Sequence, residues 1–319
     1  MSSKALESLV ARGRHANDFR EQREIAFGLV DFSTHPEVHE QLVKKGGVET
    51  LLHFLNVTQD AEAQQFAALA VANVASSTSV CRDIVMLDGV VAGLIQYVGN
   101  EKGDSIGRQY CALALGNLLV KTDTHKSIIE GGGIGALLTM LKNCCDAKEF
   151  DAARYPTSAI SHIASNSQYH WQIMLGGALE LLVALACCED SDTQRHAVAA
   201  VRGLCITAEN RVKFCKNGIL DPLILMSRSN EIDVVREVSS ALNIMSLEED
   251  NKEEISYRAM STLISLLVSG DGDVERNSCS AIANLVEVKD IHSRFLEELG
   301  LSPLIALCSS PYGPCRVEA

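Results

Sequence analysis

Apolar residues recur along this chain with helical spacing, in blocks separated by polar or glycine-bearing corners. The blocks resemble one another. GGVETLLHFL begins at Gly46, DGVVAGLIQYV at Asp88, GGGIGALL at Gly131, GGALELLVAL at Gly176 and NGILDPLILM at Asn217. Weaker copies are RAMSTLISLL from Arg258 and LGLSPLIALC from Leu299. Their shared leucines are Leu51, Leu94, Leu137, Leu181, Leu223, Leu263 and Leu304, spaced by 43, 43, 44, 42, 40 and 41 residues. A period near forty residues is the mark of a stacked repeat.

A second series lies downstream of each block. LAVANVA, LALGNLL, SAISHIA, AAVRGLC, SALNIMS and SAIANLV align without gaps on Ala70, Ala114, Ala159, Ala200, Ala241 and Ala281. Ala26 in IAFGLVDF is taken as an N-terminal copy. A small residue at one helical position lets neighbouring helices approach closely. Each unit therefore predicts three helices: a short first one, a glycine corner, an apolar second one of about ten residues, and a third of about four turns. The run at Gly131, Gly133 and Ala136 fits a dinucleotide-binding G-x-G-x-x-A only in isolation. Such a site needs a strand before it, and no period-two alternation precedes it.

This pattern of glycine corner, apolar second helix and A-L-x-N-L-like third helix resembles the armadillo repeat family over nearly the whole chain. The resemblance implies an all-α, right-handed superhelical solenoid of three-helix repeats, with third helices lining a concave groove. The expectation is one solenoid over residues 1–319, of about seven repeats with the first and last incomplete. At the start, SKALESLVARG reads as a partial second helix, followed by a third helix through about Phe32 and a first helix over 35–45. At the end, LSPLIALCSSPYGPCRVEA enters a third helix without a polar cap, as expected of a fragment of a longer solenoid or of an end that an assembly covers.

Charge and composition narrow the function. Twenty-eight basic against 41 acidic residues give a net charge of −13, which disfavours nucleic acid. No apolar run reaches the ~20 residues of a membrane span, so direct membrane insertion is not expected. Eleven scattered cysteines without a C-x-x-C read as free thiols in a reducing compartment. The expected place is the cytoplasm, with association to cytoskeleton or cilium as an alternative.

Candidate chemistry dissolves into the repeat. His35 and His39 have zinc-helix spacing, but Pro36 stands where the zincin glutamate would be, and no third ligand is near. His39, His125 and His292 each lie seven residues before a corner, which reads as a repeated surface helix. Cys205 or Cys215 with His196 lacks an orienting group. No catalytic residue, metal or cofactor is expected.

The groove is more informative. In the armadillo family an asparagine of the third helix often holds an extended peptide backbone. Here that position holds Asn73, Asn117, His162, Gly203, Ile244 and Asn284. The tryptophan that nuclear-transport members carry four residues earlier is replaced by Leu69, Leu113, Ser158, Ala199, Ser240 and Ser280. Four repeats carry Asp151/Arg154, Asp192/Arg195, Asp233/Arg236 and Asp273/Arg276, each aspartate placed as a helix N-cap. The arginines, with Arg202, read either as an inter-repeat ladder with aspartates or as a row facing an acidic partner segment. Pro156 in AARYPTSAISHIAS predicts a kinked or restarted third helix near Tyr155. The candidate partner-binding residues are thus Asn73, Asn117, Arg154, His162, Arg195, Arg202, Arg236, Arg276 and Asn284. The expected function is a non-enzymatic protein–protein interaction scaffold or adaptor, on the lines of β-catenin-like or vacuolar-armadillo-like proteins. The alternatives are a structural component of a cilium or another cytoskeletal assembly, and a co-chaperone platform for a motor protein.

Overall fold

Seven long third helices carry the repeat: Phe19–Ser33, Ala61–Ala75, Ser105–Leu119, Phe150–Ala164, Ser191–Leu204, Ile232–Ser246 and Gly272–Val286. Repeats one to seven end on these helices in order. The structure is a computed structural model and describes residues 3–101, 103–309 and 311–318, which are helical with turns and no strand. Ala70, Ala114, Ala159, Ala200, Ala241 and Ala281 are each the tenth residue of their helix and fully buried. In repeat one the tenth residue is Gly28, so Ala26, although buried, is not the N-terminal copy of the series. Reading from Ala26 shifted that helix by two residues.

The corners are built by glycine in the left-handed region. Gly46, Gly89, Gly132, Gly177 and Gly218 have φ between 75° and 91°. A Cβ on Gly132 would meet nothing within 4 Å, so it is the backbone conformation and not crowding that selects glycine there. Repeat seven departs from the expected three helices. Its corner position is occupied by Tyr257, Arg258 and Ala259, none of which favours positive φ. The first and second helices accordingly run together as Glu249–Leu266.

A second device ties each first helix to the third helix before it. The His39 Nε2–H donates to the Ser33 carbonyl at 2.7 Å, His125 to Leu119 at 2.7 Å, His170 to Ala164 at 2.8 Å and His292 to Val286 at 2.7 Å. Asn210, Asn251 and Cys81 make the same bond to Leu204, Met245 and Ala75. Every donor stands six residues after its acceptor, so a carbonyl at each helix C-terminus gains a side-chain donor. His39 and His125 are buried, which corrects their reading as surface residues; His170 is buried as well, and His292 is exposed.

The chain divides into two compact units, Met1–Ile163 and Ala164–Ala319, with the division inside the helix Phe150–Ala164. In the first unit the third helices of repeats one to three pack side by side. The helix Phe150–Ala164 passes Pro156 without a break, so the expected restart does not occur. Proline still leaves the turn before it one donor short, and the Thr157 hydroxyl, fully buried, donates to the Ala153 carbonyl at 2.7 Å.

In the second unit the third helices of repeats five, six and seven pack in sequence. The last helix, Gly313–Glu318, lies on Gly272–Val286. The Tyr312 hydroxyl donates to the Asp273 carboxylate at 3.1 Å, and the Cys315 thiol to the Gly272 carbonyl at 3.3 Å.

Candidate partner-binding face

Counting from the helix starts, the fifth residues of the third helices are Arg23, Gln65, Gln109, Arg154, Arg195, Arg236 and Arg276. The arginine series found in the sequence therefore has an earlier member, Arg23, hidden by the misplaced register at Ala26. The capping aspartates are also displaced from expectation. Asp60, Asp104, Asp190 and Asp271 accept from backbone N–H groups three residues on, at 2.8, 2.6, 2.8 and 3.1 Å. Asp192, Asp233 and Asp273 lie inside the first turn instead, and Asp151 is the second residue of its helix. A cap must stand outside the helix in an extended conformation; Asp190 does so, at φ −84° and ψ 113°.

In the first unit this row is a ladder. Arg23 reaches forward to the capping carboxylate of Asp60 at 2.5 Å and to Glu62 at 2.7 Å. Gln65 donates to the next cap, Asp104, at 3.1 Å. The Arg23 guanidinium holds the Asp60 carboxyl below the usual range, against the opposing effect of burial. Arg154 lies 4.9 Å over the Tyr155 ring and donates to its hydroxyl at 3.2 Å. Asn73 donates to the Ser33 hydroxyl at 3.0 Å and Asn117 to the Ala72 carbonyl at 2.9 Å, so both side-chain amides bind the preceding third helix. His162 is half-buried. Burial first, and the nearby His125 second, depress its pKa and favour the neutral ring. Beside the ladder this face is apolar: the Phe27 and Phe66 rings meet edge to face with centroids 5.4 Å apart.

The second unit carries more charge on the same helical positions. Arg236 binds Asp271, the cap of the next third helix, at 2.7 Å, and Asp233 in its own turn at 3.1 Å. Arg202 donates to Glu237 at 2.7 Å. Asn284 donates to the Ser246 hydroxyl at 3.0 Å. Two guanidinium groups are less committed. Arg195 bonds the His196 ring at 3.3 Å and has Asp192 at 3.6 Å, and Arg276 is exposed with no hydrogen bond or ion pair among the described residues. Gly203 is there for a close approach, since a Cβ on it would stand 2.7 Å from the Ala164 carbonyl oxygen.

The buried cysteines are arranged for packing. Burial pushes the Cys205 thiol up to about 12 and the Cys144 thiol up to about 11, which leaves neither as a thiolate nucleophile at neutral pH. His35 bonds Thr34 at 2.8 Å while His39 turns inward to Ser33, so the two do not converge on one point. Among the described residues no three His, Cys, Asp or Glu are grouped to hold a metal ion, and no single helix is long and apolar enough to cross a membrane.

Neither the protein-family models nor the curated proteins give a match. Solved structures do. A designed armadillo repeat protein superposes with a TM-score of 0.67 at 20% identity, over 75% of this chain and 99% of that one. The fold is that of an armadillo-repeat-like solenoid. Two engineered proteins of the Northeast Structural Genomics Consortium superpose with TM-scores of 0.68 at 26% and 25% identity, covering 75% and 76% of this chain and 98% and 97% of theirs. A third covers 100% of this chain and 97% of its own at a TM-score of 0.55 and 20% identity. Armadillo solenoids are typically protein-binding scaffolds and usually non-catalytic. In armadillo terms the asparagine position of the third helix is here turned to holding repeats together, and the arginine position is divided between that task and solvent.

Proposed function

We propose that residues 1–319 form one armadillo-repeat solenoid acting as a non-enzymatic protein-interaction scaffold or adaptor, which binds an extended or helical partner segment on its third-helix faces. The observation that carries this reading is the uneven use of the third-helix arginines in the second unit. Arg202 and Arg236 are spent on neighbouring carboxylates, whereas Arg195 and Arg276 keep donors for a ligand. A partner with an acidic segment suits them, and Arg154, His162 and the asparagines Asn73, Asn117 and Asn284 edge the faces it would follow. The proposed compartment is the cytoplasm.

The test is affinity purification of the tagged full chain with mass spectrometry, beside the double variant Arg195→Ser/Arg276→Ser. The candidate partner is then re-bound as purified protein. The reading requires a partner that binds the parent chain and loses several-fold affinity in the double variant, with both chains melting alike. Equal binding by the two chains removes the arginines from the site. Recovery only inside an insoluble assembly favours the building-block role of cytoskeletal armadillo proteins instead.

A further inference from the structure

The residue after each first-helix donor is charged in five repeats: Glu40, Arg82, Lys126, Arg211 and Lys252. Each is paired. Glu40 binds Lys44 at 3.2 Å and Lys126 binds Glu130 at 3.9 Å, four residues on along the same helix face. Arg82 binds Asp123 at 2.7 Å, Arg211 binds Glu248 at 3.8 Å and Lys252 binds Glu287 at 2.8 Å. In repeat five the same position is Trp171, and the residue four further on is Leu175. The i, i+4 ion pair of repeats two and four is replaced by two large apolar side chains on one face. They do not serve the core, because that helix buries His170 and Ile173 instead. Trp171 is 63% exposed and Leu175 77%.

These side chains form one wall of a cleft of about 490 Å³ between His170–Leu175, Ala178–Ala186 and Ala208–Lys216. The polar floor is already satisfied. His170 binds the Ala164 carbonyl and accepts from the Thr207 hydroxyl at 2.8 Å, and Asn210 binds Leu204. What the cleft still offers is apolar surface and one carboxylate. Glu209 is neutralised by Lys213 at 2.6 Å, but Glu180 is exposed and has no hydrogen bond or ion pair among the described residues. The unbalanced charge at the rim is negative.

We propose that this cleft is a second docking site, for a short segment of a partner protein that pairs a large apolar side chain with a lysine or arginine. The apolar side chain packs on Trp171 and Leu175, the kind of aromatic anchor that dominates interfaces. The cation lies against Glu180 and the face of the indole. The volume suits one or two side chains of a peptide segment. The site is built from first and second helices, so its test is independent of the third-helix reading above.

Trp171 is the only tryptophan in the chain, so its emission reports the site directly. The full chain is titrated with two synthetic peptides of equal length without aromatic residues, one amphipathic in leucine and lysine, the other in leucine and glutamate. The expected result is a saturable blue shift of Trp171 emission with the leucine–lysine peptide alone. Leu175→Ser and Glu180→Lys should each weaken binding of that peptide by about tenfold. Glu130→Lys, an equal charge change at a different first helix, should leave it within about twofold. Absence of a shift with either peptide overturns the proposal. So does equal weakening by Glu130→Lys, which would mean attraction by net charge only. A blue shift that grows with protein concentration without peptide, together with dimers in sedimentation, assigns the cleft to a second copy and overturns the proposal as well.

Discussion

The Arg236 guanidinium sits 2.7 Å from the Asp271 carboxylate, which at the same time accepts the Val274 backbone N–H at 3.1 Å. One carboxylate thus caps the third helix of repeat seven and ties it to the third helix of repeat six. Arg23 and Asp60 repeat the arrangement in the first unit. In a stacked array each repeat leans only on its neighbours, so a residue that both starts a helix and joins it to the one before couples local to tertiary structure. The arginine row of the sequence is for this reason partly mortar.

Asp271→Ala should lower stability by about 0.5–2 kcal/mol through the lost cap alone. Asp271→Asn keeps an N-cap acceptor and should recover much of that loss while still lacking the ion pair. The pH dependence has a definite sign. Arg236 holds the folded-state carboxyl of Asp271 below its usual value, so its contribution is complete above the unfolded pKa of about 3.9 and fades as pH falls through the folded one. The gap between the parent chain and Asp271→Asn in urea melts should therefore be widest near neutrality and close as pH falls below the usual carboxylate range. A gap that widens in acid contradicts the pairing.

Two glycine substitutions separate conformation from crowding. Gly203→Ala places a methyl 2.7 Å from the Ala164 carbonyl oxygen, a backbone atom that cannot swing aside. A loss of about 1–3 kcal/mol is expected. Gly135→Ala, in a helix and with nothing within 4 Å of the new Cβ, should be neutral or stabilising by up to about 1 kcal/mol. Thermal melts of the two variants that shift alike would show that the helices do not approach as closely as 2.7 Å implies.

The shared alanines make the same argument from the other side of the contact. Ala114 and Ala200 are fully buried at the tenth position of their helices. Ala114→Leu and Ala200→Leu should each cost about 1–3 kcal/mol by overpacking. Melting temperatures equal to that of the parent would place these residues on the wrong helix face.

The repeat was legible because its signal is redundant: six alanines at one helical position and a leucine every forty-odd residues cannot be produced by chance patterning. What misled were signals that do not fix the register. Ala26 stands two residues from its proper partner Gly28, and that slip hid Arg23. Asp192, Asp233 and Asp273 looked like caps because they precede apolar runs, but Asp190 and Asp271 stand where the backbone is still extended. The fused helix of repeat seven was readable in principle, as RAMSTL lacks the glycine that its counterparts have. The inward turn of His39 and His125 was not, because a histidine followed by polar residues looks the same on a surface helix. Only the distance to a carbonyl six residues earlier separates the two. The pairing of Trp171 with Leu175 carries no signal by itself, because one repeat's departure from a charged position stands out only after the register is known.

That carbonyl bond is the last point open to direct measurement. Asn251 is buried, and its side-chain N–H donates to the Met245 carbonyl at 3.1 Å. Asn251→Leu keeps the side-chain volume nearly constant and removes the donor. The Met245 carbonyl would keep only the Glu248 backbone N–H at 3.3 Å and lose its side-chain donor in a dry environment, at a cost of about 0.5–1.5 kcal/mol. The asparagine Oδ1 is itself buried without a partner, and leucine removes that defect, so the lower half of the range is expected. Asn217 supplies the control. It makes a similar bond, to the Lys213 carbonyl at 2.8 Å, but on an exposed corner where water can replace it. Asn217→Leu should shift the urea midpoint little. If both variants shift by the same amount, burial of the bond is not what gives the repeated donor its value, and the seven-fold recurrence of that position would need another cause.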